Sequence, residues 1–550
     1  MKYIFVIILL FLFTPLAYSQ TKPSTAFVSP FDFPLLMSGN FGELRTDHFH
    51  SGLDFKTQGI SGKKLFSIGE GYISRILVTH GSGYMLHVRY NNGYTAIYRH
   101  LSRFVSPIAE RVEDDQYKNE TWEVLIIPDS IEYPVHSGQQ IAWSGNTGYS
   151  FGPHLHLDLF ETESGDYVDA LPFYKHLIED TCAPVLQSIM FFPRSGKGIV
   201  NGKEERQAFT LPITGCIETW GVIGIGVKAY DYMDETTNRY GVHTVSLLID
   251  NKEIFRSVVD RFSTEESRMI YSWTYHSYMK SFMEPGNKLR MLQTFNDQNG
   301  LITIDEERDY QFTYVLKDLY GNTSIYPFTV RGKPQPFTQP DYKNKFYLER
   351  DKMNSLSEPG LELHIPKGSL YDNVLLNNEI LLDSGAVSFT YQLNDEPIPM
   401  HTYGDLYVGV RNKIVADSAK YYIARIGKNG KTTSLGGKYE NGFMKTQVRE
   451  LGTFTVRVDT VPPQIKEINP RQWKNTGKII FKVEEKETDI AAYRGTIDGK
   501  YVPFAWEIVT NRIVYPVNPH KIKKGVKHTV ELSVTDTCGN KGKIMMDVIL

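Results

Sequence analysis

Three short clusters in the first third of the chain concentrate side chains that hold metals and move protons. They are His50-Ser-Gly-Leu-Asp54, Tyr98-Arg-His100-Leu101, and a longer run from Ser144 that ends Gly152-Pro-His154-Leu-His156-Leu-Asp158. In His154-Leu155-His156 the two-residue period of a strand puts both imidazoles on one face, with Cα atoms roughly 6.5–7 Å apart. One can bind a metal while the other faces a substrate beside it. Neutral imidazole nitrogens and a carboxylate oxygen suit zinc, and three protein ligands leave the fourth position open for water, as in a catalytic rather than a structural site. A lone HxH or a lone HxxxD would not carry this reading; their conjunction does. Gly152-Pro153 sets a tight entry into the strand, and Gly52, Gly145 and Gly148 are expected to let the backbone pass close to an ion or substrate.

The elements that must position these residues are strands. Between Phe31 and Phe173, Gly71–Val78, Tyr84–Tyr90 and Tyr94–Tyr98 alternate apolar and polar residues. Gly81-Ser-Gly83 and Asn91-Asn-Gly93 separate them, residue types that accept the positive φ of tight hairpins. A compact antiparallel β domain follows, with one short helix expected around Pro172–Ile178. His80 and His87 read as structural or exposed, His48 and Asp47 as candidates to support the site from behind, and Tyr98 as a core aromatic or an orienting group.

HxxxD at His50–Asp54, YxHL at Tyr98–Leu101 and GxxxGPHLH at Gly148–His156 occur in the order expected of the lysostaphin-type zinc metallopeptidases, metallopeptidase family twenty-three, which the chain resembles over residues 35–165. The resemblance implies one zinc ion held by His50, Asp54 and His156, with His100 and His154 unligated beside it. It implies a general base and an oxyanion stabiliser in those two; His154 is the better base and His100 the stabiliser, with the reverse nearly as good. It also implies a metalloendopeptidase acting on peptide stems or cross-links of bacterial peptidoglycan. The alternatives are a non-catalytic regulator of cell-wall amidases on the same fold, some of which lack the zinc ligands, and an envelope scaffold or adhesion protein. All three ligand positions and both auxiliary histidines are filled here. Two departures stand out. Asp158 replaces a frequent Glu, shortening the reach of a supporting carboxylate, and 36 residues separate Leu101 from Gly138. Within them, Val105–Pro128 is expected to form a groove wall or lid.

Residues 1–19 read as a signal peptide cleaved after Ser19: one Lys, an apolar run, Pro15, then Ala17-Tyr-Ser19. No later run approaches the length of a membrane span, so no transmembrane span is expected after its removal, and the chain is expected to be exported, periplasmic or secreted. With 41% hydrophobic and 22% charged residues the chain is neither disordered nor fibrous, and a net charge of −3 excludes a strongly basic nucleic-acid binder. Three cysteines allow at most one disulfide and match no zinc pattern. The expected fold is mainly β: a metallopeptidase domain of duplicated hybrid motif type at 30–175, followed by β-sandwich modules. Asp180-Thr-Cys-Ala-Pro184 and Asp459-Thr-Val-Pro-Pro463 are each answered by Asp-x-x-Gly-Asn, at Asp318 and Asp536, resembling the opening and closing of bacterial immunoglobulin-like modules. They delimit 180–335, with insertions, and 459–550; a β-rich module of uncertain type fills 345–458. Residues 331–342 and 352–359 read as linkers, and the β modules as a surface for an envelope protein partner.

Overall fold

Strand alternation in the N-terminal region builds an antiparallel sheet ordered Met37–Gly39, Gly52–Lys56, His154–Glu161, Tyr94–Leu101, Gly83–Tyr90, Gly71–Thr79, Val124–Ile126. The computed structural model describes residues 27–213, 215–343, 345–382 and 385–550; the expected signal peptide lies outside the described residues. Leu86, Val88, Leu155 and Leu157 fill one side of this sheet, and Tyr98 is buried among them with its hydroxyl accepting the Ile68 N–H at 3.0 Å. Tyr98 is therefore a core residue. Among the described residues the three cysteines are free and no helix is long and apolar enough to cross a membrane.

The chain is mainly β. Residues 185–332 form an eleven-stranded sheet, antiparallel except where Ile217–Tyr230 runs parallel to Thr323–Gly332. Residues 347–458 give a two-stranded ribbon and two five-stranded sheets enclosing Leu363, Leu406, Ile423 and Phe454, and residues 464–549 give two four-stranded sheets around Trp473, Phe481 and Leu532. The proposed linker at 352–359 is not one: Asn354–Glu358 is a strand paired with Leu361–Ile365.

The first two regions are not separate cores. A single apolar cluster runs from Phe27 to Val330 and on to Tyr371. Phe262 joins them, with its ring 5.0 Å from Phe41, 5.4 Å from Phe49 and 5.9 Å from Tyr167. The backbone of Tyr167–Val168 pairs with Arg261–Phe262, so one sheet crosses the junction. Arg290 clamps Asp166 through two hydrogen bonds of 2.8 and 2.9 Å and holds Glu266 as well.

The segment expected to be a wall or lid carries a contact with a distant part of the chain. Ile108–Lys118 is a helix that sequence alternation did not reveal, seated by Ile108 and Val112. Its outer face carries the C-terminal sandwich: Tyr117 Oη lies 3.1 Å from Tyr515 Oη, Asn518 donates to Glu113 at 2.8 Å, and Arg494 pairs with Glu120 at 2.6 Å. His80, expected to be structural or exposed, packs against Tyr493 and Trp506 of that same sandwich.

Phe262 is almost fully buried on both sides of the junction. Phe262→Ala should destabilise the protein by about 3–5 kcal/mol, and guanidinium denaturation should show the N-terminal sheet and residues 185–332 losing stability together rather than in separate transitions.

Candidate active site

The central strands bring the predicted residues to one point. Asp54 sits on Gly52–Lys56 directly across from His156 on His154–Glu161, and Asp158 lies opposite Gly52. Directly opposed residues and those two apart on a strand share a face, so His154, His156, Asp158 and Asp54 project together. His50 enters from the preceding loop, one helical-turn spacing before Asp54.

His100 reaches the same face by breaking the strand period. In the pairing of Gly83–Tyr90 with Tyr94–Leu101 the register jumps between Tyr84–Leu101 and Leu86–Tyr98, leaving one extra residue on the second strand. His100 itself has φ 59°. Such a bulge, with one residue in the left-handed region, turns adjacent side chains toward the same side. Arg99 and His100 therefore both serve the cluster, which plain alternation would forbid. The glycines act differently from expectation: a Cβ on Gly52 would strike the Leu157 carbonyl at 2.3 Å and one on Gly145 the His100 carbonyl at 2.6 Å. They permit close approach of backbone to backbone.

His50 Nε2, His156 Nδ1 and Asp54 Oδ1 lie 3.0, 3.1 and 2.9 Å apart. Their outer atoms are spoken for. His50 Nδ1–H donates to the Asn40 carbonyl at 2.6 Å, and His156 Nε2–H to Asp158 Oδ1 at 2.6 Å. The second Asp54 oxygen accepts from Arg45 at 3.3 Å. Three acceptor atoms this close repel one another unless a cation or a proton sits among them. The edges are near the roughly 3.3 Å expected for one face of a tetrahedron with zinc bonds of about 2.0 Å. The donor set fits zinc.

His100 and His154 are oriented by the same device. His100 Nδ1–H donates to the Thr147 carbonyl at 2.8 Å and His154 Nδ1–H to the Gly152 carbonyl at 2.8 Å, so each presents an unprotonated Nε2 inward. Their ring centroids are 4.9 Å apart, and His154 Nε2 is 3.5 Å from Asp54 Oδ1. Burial, with His154 and His156 nearby, pushes His100 down to about 3, keeping it neutral. Burial also lowers His50. His48 pairs with Asp47 at 2.6 Å in an exposed position outside the cluster.

Asp158 anchors the site from behind. It is fully buried and takes hydrogen bonds from Arg99 Nε at 2.5 Å, Ser51 Oγ at 2.5 Å and His156. Burial opposes its charge, yet Arg99 and His156 hold its carboxyl well below the usual range. Burial likewise disfavours charge on His156, but the carboxylates of Asp158 and Asp54 raise it to about 9. Arg99, Arg45, Ser51 and the Asn40 and Thr147 carbonyls were not singled out from sequence; only Arg99, lodged inside YxHL, left any trace there.

A Zu5-like domain model matches residues 345–459. An uncharacterized metalloprotease of Buchnera aphidicola subsp. Baizongia pistaciae is 28% identical over 111 residues, 20% of this chain and 23% of its own length. The chain thus spans about a quarter of that curated relative. The catalytic domain of the antimicrobial peptidase lysostaphin from Staphylococcus simulans matches at 25% identity over 26% of this chain and 92% of its own, TM-score 0.19. A zinc-containing peptidase from Vibrio cholerae matches at 25% identity over 26% of this chain and 39% of its own, TM-score 0.20. The chain is similar to the lysostaphin-type metallopeptidases. In these three matches that similarity covers 20–26% of the chain.

Because the folded-state value of His156 lies above the ordinary 6.5, its charged form contributes stability in the metal-free protein that is fully present below about 6.5 and lost as pH rises through about 9. Metal-free protein should therefore melt at lower temperature at pH 9.5 than at pH 6.5 through this group. Asp158→Asn, which removes one lifting carboxylate, should flatten that dependence; thermal unfolding against pH in both proteins checks it.

Proposed function

We propose that the protein is an exported zinc-dependent metalloendopeptidase that hydrolyses peptide bonds in the stems or cross-links of bacterial peptidoglycan. The observation that carries this reading is the convergence of five metal- and proton-binding side chains, each with its outer hydrogen-bonding atom engaged and its inner atom free. His50, Asp54 and His156 hold the metal. A bound zinc ion supplies Lewis acidity, making water acidic near neutral pH and polarising a carbonyl.

The remaining work belongs to the chain. His154 Nε2 is the group we assign as general base: it lacks a proton in the tautomer its neighbours impose, stands 3.5 Å from a ligand oxygen, and is the more accessible of the two unligated histidines. It accepts the proton of the attacking water and returns it to the leaving amine. His100, buried and neutral, enters the reaction as an acceptor that orients the same water through Nε2. Since its one N–H is given to Thr147, it has no proton to offer an oxyanion, and its part is that of an acceptor. Tyr149 and Phe151, an exposed aromatic pair with ring centroids 5.3 Å apart in the loop leading to His154, offer the peptide a surface beside the site.

Digestion of purified peptidoglycan by the mature protein, read by mass spectrometry of released fragments, tests this. Cleavage should stop on chelation and return with zinc. His154→Ala should lower the rate about 10²–10⁴-fold while zinc remains bound, and Asp158→Asn should weaken zinc about 10–100-fold. Bound zinc with no cleavage of any peptide substrate would remove the peptidase reading and favour the regulator.

A further inference from the structure

A second cluster of ionisable groups lies where residues 185–332 meet the N-terminal sheet, and the proposed reaction does not use it. Asp180 belongs to the first module-opening phrase, Asp231 follows the strand Ile217–Tyr230, and Asp318 opens the Asp-x-x-Gly-Asn turn. They are 7%, 3% and 5% exposed, and one carboxylate oxygen from each lies within 4.8 Å of the other two. Asp318 is satisfied: Oδ1 accepts the N–H groups of Gly321 and Asn322, and Oδ2 the Asn322 amide at 2.7 Å. Asp180 Oδ1 accepts the Cys182 N–H at 3.0 Å. Asp180 Oδ2 and Asp231 Oδ1 are buried and accept nothing.

Among the described residues no Lys or Arg forms an ion pair with any of the three. Lys175 gives its ammonium instead to the Leu319 carbonyl at 3.1 Å and to the face of Tyr320. The trio lines a cavity shared with Asn40, His243 and Tyr320. A buried acceptor without a partner costs on the order of 1–3 kcal/mol, more if charged, and gathering three carboxylates adds mutual repulsion. Burial first, then the neighbouring carboxylates, push Asp180 up to about 6 and Asp231 up to about 8. Without a positive charge in the cavity, the cluster keeps its fold only by retaining protons.

We propose that Asp180, Asp231 and Asp318 bind one calcium ion, which ties together three chain segments of the region packed against the sheet that carries the histidine cluster. The donors are all oxygens, the choice of a hard cation, and carboxylates spread over three separate chain segments suit the larger, more tolerant shell of calcium rather than the strict octahedron of magnesium. The neighbouring Cys182 thiol is directed to Asp234 instead, at 3.5 Å, on the more exposed side. The same cavity is lined by Asn40, whose amide exchanges two 2.8 Å hydrogen bonds with Gly241 and whose carbonyl receives His50 Nδ1–H. An ion there therefore buttresses the residue that fixes His50.

The C-terminal sandwich repeats part of the arrangement with Asp459, Glu485 and Asp536, and Asn540 donates to the Asp459 carbonyl as Asn322 does to that of Asp180. There, however, Asp459 is satisfied by Val461 N–H and Thr488 Oγ–H. That copy carries no buried unpartnered oxygen among the described residues.

Calorimetric titration of calcium chloride into calcium-stripped, zinc-loaded full-length mature protein at pH 8, with thermal unfolding in parallel, tests the assignment. The parent should show saturable calcium uptake and a melting temperature raised by a few degrees. Asp231→Asn and Asp180→Asn should each lose one binding event or weaken it about tenfold or more. Each amide also relieves repulsion, so both variants should melt no lower than the calcium-free parent and respond little to calcium; two variants guard against one failing to fold. Absence of saturable uptake in the parent, or an undiminished calcium response in both folded variants, would overturn the proposal. An equal response to magnesium would overturn the choice of calcium.

Discussion

Asp158 is the constraint on which the histidine cluster depends. A metal site needs acceptor atoms pointing inward, and an imidazole presents one only if its other nitrogen has somewhere to place its proton. Asp158 takes the proton of His156, and its own charge survives burial because Arg99 and Ser51 hold it. Arg99 can do so because it stands directly opposite His156 in the strand pairing, and the bulge beside it brings His100 to the same face. One strand thus supplies a buttress by its regular pairing and a proton acceptor by its bulge. The other imidazoles rely on backbone carbonyls of Asn40, Thr147 and Gly152, so loop conformation is part of the chemistry.

Those loops are held by packing that extends well beyond the N-terminal sheet. Asn40 is fixed through its side chain to Gly241, and Tyr240 donates to the Met37 carbonyl at 2.9 Å. Phe41 and Phe49, on either side of the loop leading into His50, both rest on Phe262. The region following the sheet is therefore a structural half of the site. Residues 347–458 lean on that half in turn, through Arg268 to the carbonyls of Met400 and Arg449.

The sequence made the chemistry legible and left its support obscure. His50, Asp54, His100, His154 and His156 could be read because residue type and strand period speak directly to which atoms meet, and the hairpins of the N-terminal sheet because their turns carry Gly and Asn. Arg99 could not, since its contact with Asp158 depends on which strands lie side by side, and the bulge that lets His100 share its face leaves no pattern in the sequence. The helix at Ile108–Lys118 was obscured by its charged surface, whose apolar anchors are few: Ile108 and Val112 seat it, and Tyr117 faces another module. The shared core escaped for a related reason. Phe262 reads as an ordinary strand aromatic, and no local pattern states that its partners lie some two hundred residues earlier.

The docking of the C-terminal sandwich on that helix also bears on assembly during synthesis. Residues Tyr493 to Lys521 are made nearly four hundred positions after the Tyr117 surface they cover. Until they emerge, Tyr117 on its helix and His80 just past the strand Gly71–Thr79 stand bare. The N-terminal domain reaches its packed form only when the sandwich of residues 464–549 docks on it, so folding of that distant module is felt directly on the domain that carries the histidines.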